Sequence, residues 1–254
     1  MKKILGFVLI LTAVASAGFS QAVAAEKVVV AATSWTAAFV RAAGFTGQLH
    51  TLAPASFQHP PEYELKPSDI RIIASADIIV FAGYERMAVQ LKDAVAKKNA
   101  ILVQITTDYS LNTIKDSLNR LAAVFGTGAA AESSITMLTG YFSSLKSDFA
   151  LKGAEGKDII CHALQVPFLR ELGFSVRAVY GPAPLEPSQL KTLSGFNPLF
   201  IVDNWHNQIA KPLKDLYPKT PIAVFINFPG QDGTVSLMDV LQYNRKELFK
   251  ALGM

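Results

Sequence analysis

Residues 76–83, Ala76-Asp77-Ile78-Ile79-Val80-Phe81-Ala82-Gly83, decide the fold. The apolar residues follow one another without alternation, so a strand here is buried on both faces, as strands of a parallel sheet are. A parallel neighbour can only be reached through a crossover, normally a helix. The flanking sequence supplies both. Strands are predicted at Lys27–Ala32, Gln48–Leu52, Asp77–Phe81 and Ala100–Ile105. Between them, Ser34 is placed to cap a helix through Ala43, and Pro67-Ser68-Asp69 opens a short helix because proline suits a first helical turn. Further helices are predicted at Met87–Ala96 and at Asn112–Phe125, the latter closed by Gly126.

The same alternation restarts after residue 153. Strands are predicted at Asp158–Cys161, Ser175–Val179, Leu199–Val202 and Ile222–Ile226. Helices are predicted at Gln165–Leu172, Ser188–Ser194, about Gln208–Leu216 and Leu237–Leu252. Between the halves, Ile135, Leu138, Phe142, Leu145 and Phe149 recur at spacings of three and four, which puts them on one face of a helix from about Ala129 to Leu151. Gly153 ends it. The expected architecture is α/β: two lobes with mainly parallel sheets, residues 26–128 and 153–254, joined by a long linking helix over 129–152.

Residues 1–25 read as a separate object. Lys2 and Lys3 precede an apolar stretch from Ile4 to Ala17, and Gln21-Ala22-Val23-Ala24-Ala25 offers small residues for cleavage. This is the layout of a secretory signal peptide, and the apolar run is shorter than the roughly 20 residues a membrane span requires. No cysteine follows it for a lipid anchor, so a free periplasmic protein is expected. Its removal leaves 22 Lys+Arg against 20 Asp+Glu, a formal charge of +2. With basic residues scattered, a nucleic-acid groove has no support. One cysteine excludes a disulfide framework and thiolate metal clusters. Gly126-Thr127-Gly128 follows a helix, not a strand, and is no dinucleotide fingerprint.

Ligands of open parallel sheets bind beyond the carboxyl ends of the strands. Three of the four histidines fall at such places: His59 in the loop after the second strand, His162 directly after Asp158–Cys161, and His206 after Leu199–Val202. Glu85 and Asp203 occupy similar positions, and Asn227 follows the last strand. His50 lies inside a strand. Each residue also has an ordinary reading: Asp203 can cap the following helix, Glu85 can serve a first turn, Cys161 can be a small buried hydrophobe, and Trp205 can pack. Nitrogen and oxygen donors in a histidine-rich set suit zinc, with manganese or iron(II) as alternatives. No Gly-x-Ser-x-Gly elbow or His-Glu-x-x-His helix is present. Cys161 and His162 are adjacent in a strand and diverge, so they form no nucleophile–base pair.

Glu62-Tyr63-Glu64-Leu65-Lys66-Pro67-Ser68-Asp69-Ile70, followed by residues 76–83, resembles the first-lobe signature of the metal-binding substrate-binding proteins of ABC transporters, the zinc- and manganese-importing group. The resemblance runs on through the mid-chain helix, Ile160-Cys161-His162, and Phe228-Pro229-Gly230 with the segment Leu237–Asn244. It implies two lobes joined by a rigid helix, one metal ion clamped between them, little lobe movement, and no enzymatic activity. It also implies a monomer that delivers its ion to an ABC permease at the inner membrane. The chain departs from the pattern at the ligands. Counting back from Pro67-Ser68-Asp69, the first histidine of the family falls on Pro61, with His59 two residues earlier. The usual fourth ligand, an aspartate, falls on Asn227. Ala163-Leu164 replace the expected Asp-Ala after His162, and the histidine-rich acidic loop is missing. The resemblance therefore implies a divergent branch holding Zn2+, or Mn2+ or Fe2+, through His59, His162 and His206 plus a carboxylate, Asp203 or Glu85. A changed ligand on the same scaffold and a secreted zinc hydrolase are the rival readings.

Overall fold

The computed structural model describes residues 27–96 and 100–254. The stretch read as a signal peptide lies outside these residues. In the first lobe, β1 (Val28–Ala31), β2 (Gln48–Thr51), β3 (Ile78–Phe81) and β4 (Ile101–Gln104) form a wholly parallel sheet of order β2-β1-β3-β4. All four residues of β3 are buried, as its unbroken apolar run requires. In the second lobe, β5 (Asp158–His162), β6 (Ser175–Tyr180), β7 (Ile201–Asn204) and β8 (Ile222–Phe225) repeat that topology as β6-β5-β7-β8, again parallel. In each sheet the chain reverses its direction of winding beside the first strand, and a crevice opens there.

The first-lobe helices are α1 (Ser34–Ala42), α2 (Pro67–Ser75), α3 (Ala88–Ala96) and α4 (Leu111–Phe125). Then comes α5 (Gly128–Leu151), 24 residues long, or about 36 Å at 1.5 Å per residue. Its five predicted core residues are all buried, together with Ala131. Its start is fastened to the first lobe, where Thr127 Oγ1 donates to Ala43 O at 2.5 Å. Its end belongs to the second, where Phe149 packs against Phe174 and Phe249 at ring separations of 5.3 and 5.7 Å. One hydrophobic core follows this helix from Val29 to Leu248 and unites both sheets. Among the described residues, no helix is long and apolar enough to cross a membrane.

The second lobe adds α6 (Val166–Glu171), α7 (Pro187–Leu193), α8 (Lys211–Leu216), the short strand β9 (Pro229–Asp232) and α9 (Leu237–Leu252). The terminal helix packs on β8 and reaches back to α1. Two predicted details are corrected. Thr33, not Ser34, caps α1: its hydroxyl accepts from Thr36 N, and the Thr36 side chain returns the bond to Thr33 N in a capping box. Strands β5 and β7 run further than predicted, to His162 and Asn204. His162 and Asp203 are therefore strand residues with buried side chains, not residues of open loops.

Candidate binding cleft

The carboxyl ends of both sheets face one cavity of about 330 Å³. The first lobe contributes Trp35 after β1, Pro61 after β2, Tyr84 after β3, and Thr107 and Asp108 after β4. The second contributes Ala163, Leu164 and Pro167 after β5, and Asn227 and Phe228 after β8. The walls are largely aromatic and aliphatic. The Trp35 ring stacks on Tyr109 at 5.6 Å and lies 6.1 Å from Phe228 across the lobe boundary. The polar groups of the first-lobe rim are already engaged. Tyr84 and Thr107 share a hydroxyl–hydroxyl bond of 2.9 Å, and Asp108 accepts from Ser110 N and Thr113 Oγ1 at 2.7 and 3.0 Å. The lobes are drawn together beside the cavity. Ser34 Oγ donates to Pro229 O at 2.7 Å. Gly230, at φ +140°, passes so close to the loop after β2 that a Cβ there would collide with Ala55 O.

The five residues predicted as metal ligands meet different fates. Glu85 is buried, but its two oxygens accept from Ala82 N at 2.8 Å and Gly83 N at 2.6 Å, tying down the turn after β3. Asp203 is buried and saturated. It accepts from Asn204 N (2.9 Å), Ile209 N (3.4 Å) and Ala210 N (3.1 Å), and the Tyr180 hydroxyl lies 3.2 Å away. His162 is fully buried; its Nδ1 accepts from Leu164 N at 3.2 Å, so Nε2 carries the proton and donates to Asn207 Oδ1 at 3.2 Å. Burial lowers its pKa and keeps it neutral. Gly181 lies over this imidazole, and a Cβ there would come within 2.6 Å of Nε2.

His206 and His59 are less committed. His206 is 5% exposed, stacks on Phe228 with ring centres 3.6 Å apart, and has Trp205 edge-on at 4.8 Å. The Asn227 amide is its polar neighbour. Burial pushes its pKa down to about 3, with the nearby His59 imidazole adding repulsion and the neighbouring Asn227 amide opposing the shift. His59 itself is exposed, at the entry to the 3-10 turn Pro60–Glu62. Among the described residues, no group of three or more His, Cys, Asp or Glu side chains is arranged to hold a metal ion. Cys161 is buried, its thiol donates to His162 O at 3.2 Å, and burial raises its pKa. His50, in β2, sits 2.9 Å from the Gln48 amide.

Most of the residues that shape the cavity are not charged side chains or histidines. Trp35, Tyr84, Leu164 and Phe228 all follow strands, as the histidines do, and that position was the available signal. The buried polar groups of Asn227 and Trp35 have His206 and Tyr109 as their neighbours. Asn244, on α9, holds the end of β8 by a two-way amide bond with Ile226, 2.9 Å in each direction, and so fixes the position of Asn227.

No family model matches the chain, and no curated protein sequence matches it. Solved structures do. A manganese-bound periplasmic metal-binding protein from Candidatus Liberibacter asiaticus superposes with a TM-score of 0.67 at 16% identity, covering 89% of this chain and 100% of that one. The chain has the fold of that protein. The solute-binding protein FpvC of Pseudomonas aeruginosa, in complex with Mn2+, gives 0.66 at 16% identity over 90% and 97% of the two chains. A mutant of the laminin-binding adhesin Lmb of Streptococcus agalactiae gives 0.71 at 16% identity over 89% and 99%. Two lobes with four-stranded parallel sheets and a bridging helix are thus an established scaffold, and its ligand site must be argued from the residues of this chain.

Proposed function

We propose that the chain is a periplasmic solute-binding protein that captures its cargo between the lobes and presents it to an ABC importer. One observation carries this reading: loops from the carboxyl ends of both sheets converge on a single cavity, bridged on one side by Ser34 and Pro229. A ligand there touches both lobes at once, so its capture is coupled to the relation between them. The cargo is a divalent transition metal, with zinc first and manganese or iron(II) next. Support comes from the resemblance, from the manganese- and cadmium-bound structures that share the fold, and from His206, a buried neutral imidazole that feels the charge of His59. Glu85, His162 and Asp203 reach an ion only by giving up bonds to the protein. Binding rather than catalysis fits the cleft: Cys161, the one thiol, is buried and donates to a backbone carbonyl.

Calorimetric titration of the metal-stripped protein with zinc, manganese and iron(II) tests the reading. One-to-one binding, weakened at least tenfold by His206→Ala and untouched by His50→Ala, is expected. Equal loss in both variants, or heat from neither metal nor variant, refutes the metal as cargo.

A further inference from the structure

Neither His59 nor His206 lines the cavity between the lobes, and the Phe228 ring stands between it and the His206 imidazole. Three rings dominate its walls: Trp35, Tyr84 and Phe228. Each is fixed by a partner. Tyr109 stacks on Trp35 at 5.6 Å, His206 lies against Phe228 at 3.6 Å, and the Tyr84 hydroxyl bonds Thr107 at 2.9 Å. Tyr84 and Leu164 are exposed, so the cavity opens to solvent beside them. At about 330 Å³ it lies at the lower end of the roughly 300–1,000 Å³ typical of small-molecule sites.

Asp108 is the one charged residue of the lining. Its oxygens accept from Ser110 N at 2.7 Å, Ser110 Oγ at 2.8 Å and Thr113 Oγ1 at 3.0 Å, all neutral donors at the start of α4. Among the described residues, no lysine or arginine pairs with it, so no cation of the protein offsets its charge. An anion in the cavity meets no basic side chain and is repelled by Asp108. A primary ammonium brings three N–H donors, and three of the roughly four acceptor sites of the carboxylate are already used. A fully substituted ammonium has no N–H to satisfy. It spreads its charge over methyl groups and is attracted both by aromatic faces and by a nearby carboxylate.

We propose that the cavity binds a small quaternary ammonium compound, a trimethylammonium group on a short chain, seated among Trp35, Tyr84 and Phe228 with Asp108 as its counter-charge. This rests on the reading above that the cleft captures a ligand between the lobes, but not on the metal. An ion at His206 and an organic cation on the other side of Phe228 are separate binding events.

Calorimetry of the metal-stripped full protein with three probes tests the proposal: choline, its neutral isostere carrying a tert-butyl group, and ethanolamine. Choline should bind roughly tenfold tighter than either of the others, or more. Tyr84→Leu, which keeps apolar volume at an exposed position but removes the ring, should weaken choline about threefold. Asp108→Asn, which keeps an acceptor for the start of α4, should weaken it roughly fivefold. Both variants should leave the zinc affinity of the parent protein unchanged. A tert-butyl isostere or ethanolamine that binds as well as choline overturns the proposal, and so does a protein that binds no choline. Choline affinity that falls in His206→Ala but not in Tyr84→Leu overturns it as well. The zinc titration stands apart from all of these results, so failure here leaves metal capture to its own test.

Discussion

Glu85 and Asp203 both belong to the carboxyl end of the third strand of their sheet, Glu85 four residues past β3 and Asp203 within β7. Both looked like metal ligands, and both are spent on backbone amides. Their tasks differ in reach. Glu85 closes a turn two and three residues back, binding Ala82 and Gly83, whose amides are only partly buried. Asp203 ties its strand to the start of α8 six and seven residues ahead and accepts from Tyr180 at the end of β6, two strands away. A buried carboxylate at a strand end is therefore not by itself evidence of a ligand. What distinguishes the lobes is the remainder: the first presents the stacked Trp35 and Tyr109 rings, and the second the buried His206 imidazole beside the Asn227 amide.

Removing each carboxylate measures that difference. Asp203→Ala leaves several buried amides without an acceptor and should cost roughly 3–4 kcal/mol in unfolding free energy. Glu85→Ala exposes its amides to partial rescue by water, so about 1–2 kcal/mol is expected from the same denaturant titration. A reversed order would show that the turn after β3, not the β7–α8 junction, is the more critical support. If Asp203→Ala instead leaves stability intact and abolishes zinc binding, Asp203 is a ligand after all.

The sequence made the scaffold legible because burial in a parallel sheet demands continuous apolar runs, and Ile78–Phe81 and Ile159–Cys161 have no other comfortable home. The mid-chain helix was equally plain from the spacing of Ile135, Leu138, Phe142, Leu145 and Phe149. The site was legible only in position. That His206 and Asn227 follow strands could be counted; that Ala82 and Gly83 would claim Glu85, or Leu164 and Asn207 the two nitrogens of His162, could not, because those bonds depend on loop geometry fixed by distant packing. Strand ends were also misjudged by one or two residues, enough to turn His162 and Asp203 from loop residues into buried strand residues. Apolar cleft residues such as Trp35 and Phe228 were hidden for a different reason: by composition alone they are indistinguishable from core.

The smallest expected effect tests the buried imidazole of the second lobe through protons. His206 takes up a proton in the folded, metal-free protein only near pH 3, whereas an unfolded chain does so near 6.5. Above pH 6.5 both states are neutral at this residue and it contributes no pH dependence. Below 6.5 the unfolded state gains protons that the folded state refuses, so stability declines as pH falls from 6.5 toward 3. Between pH 6.5 and 5.5 this amounts to about 1 kcal/mol per such histidine. His162, whose pKa burial also lowers, acts in the same direction. Urea titrations at the two pH values should therefore show a drop in the metal-free protein that shrinks by about half in His206→Gln. An unchanged drop would mean that His206 is already protonated or exposed in solution, and that the second lobe does not hold the buried neutral imidazole on which capture of a metal depends.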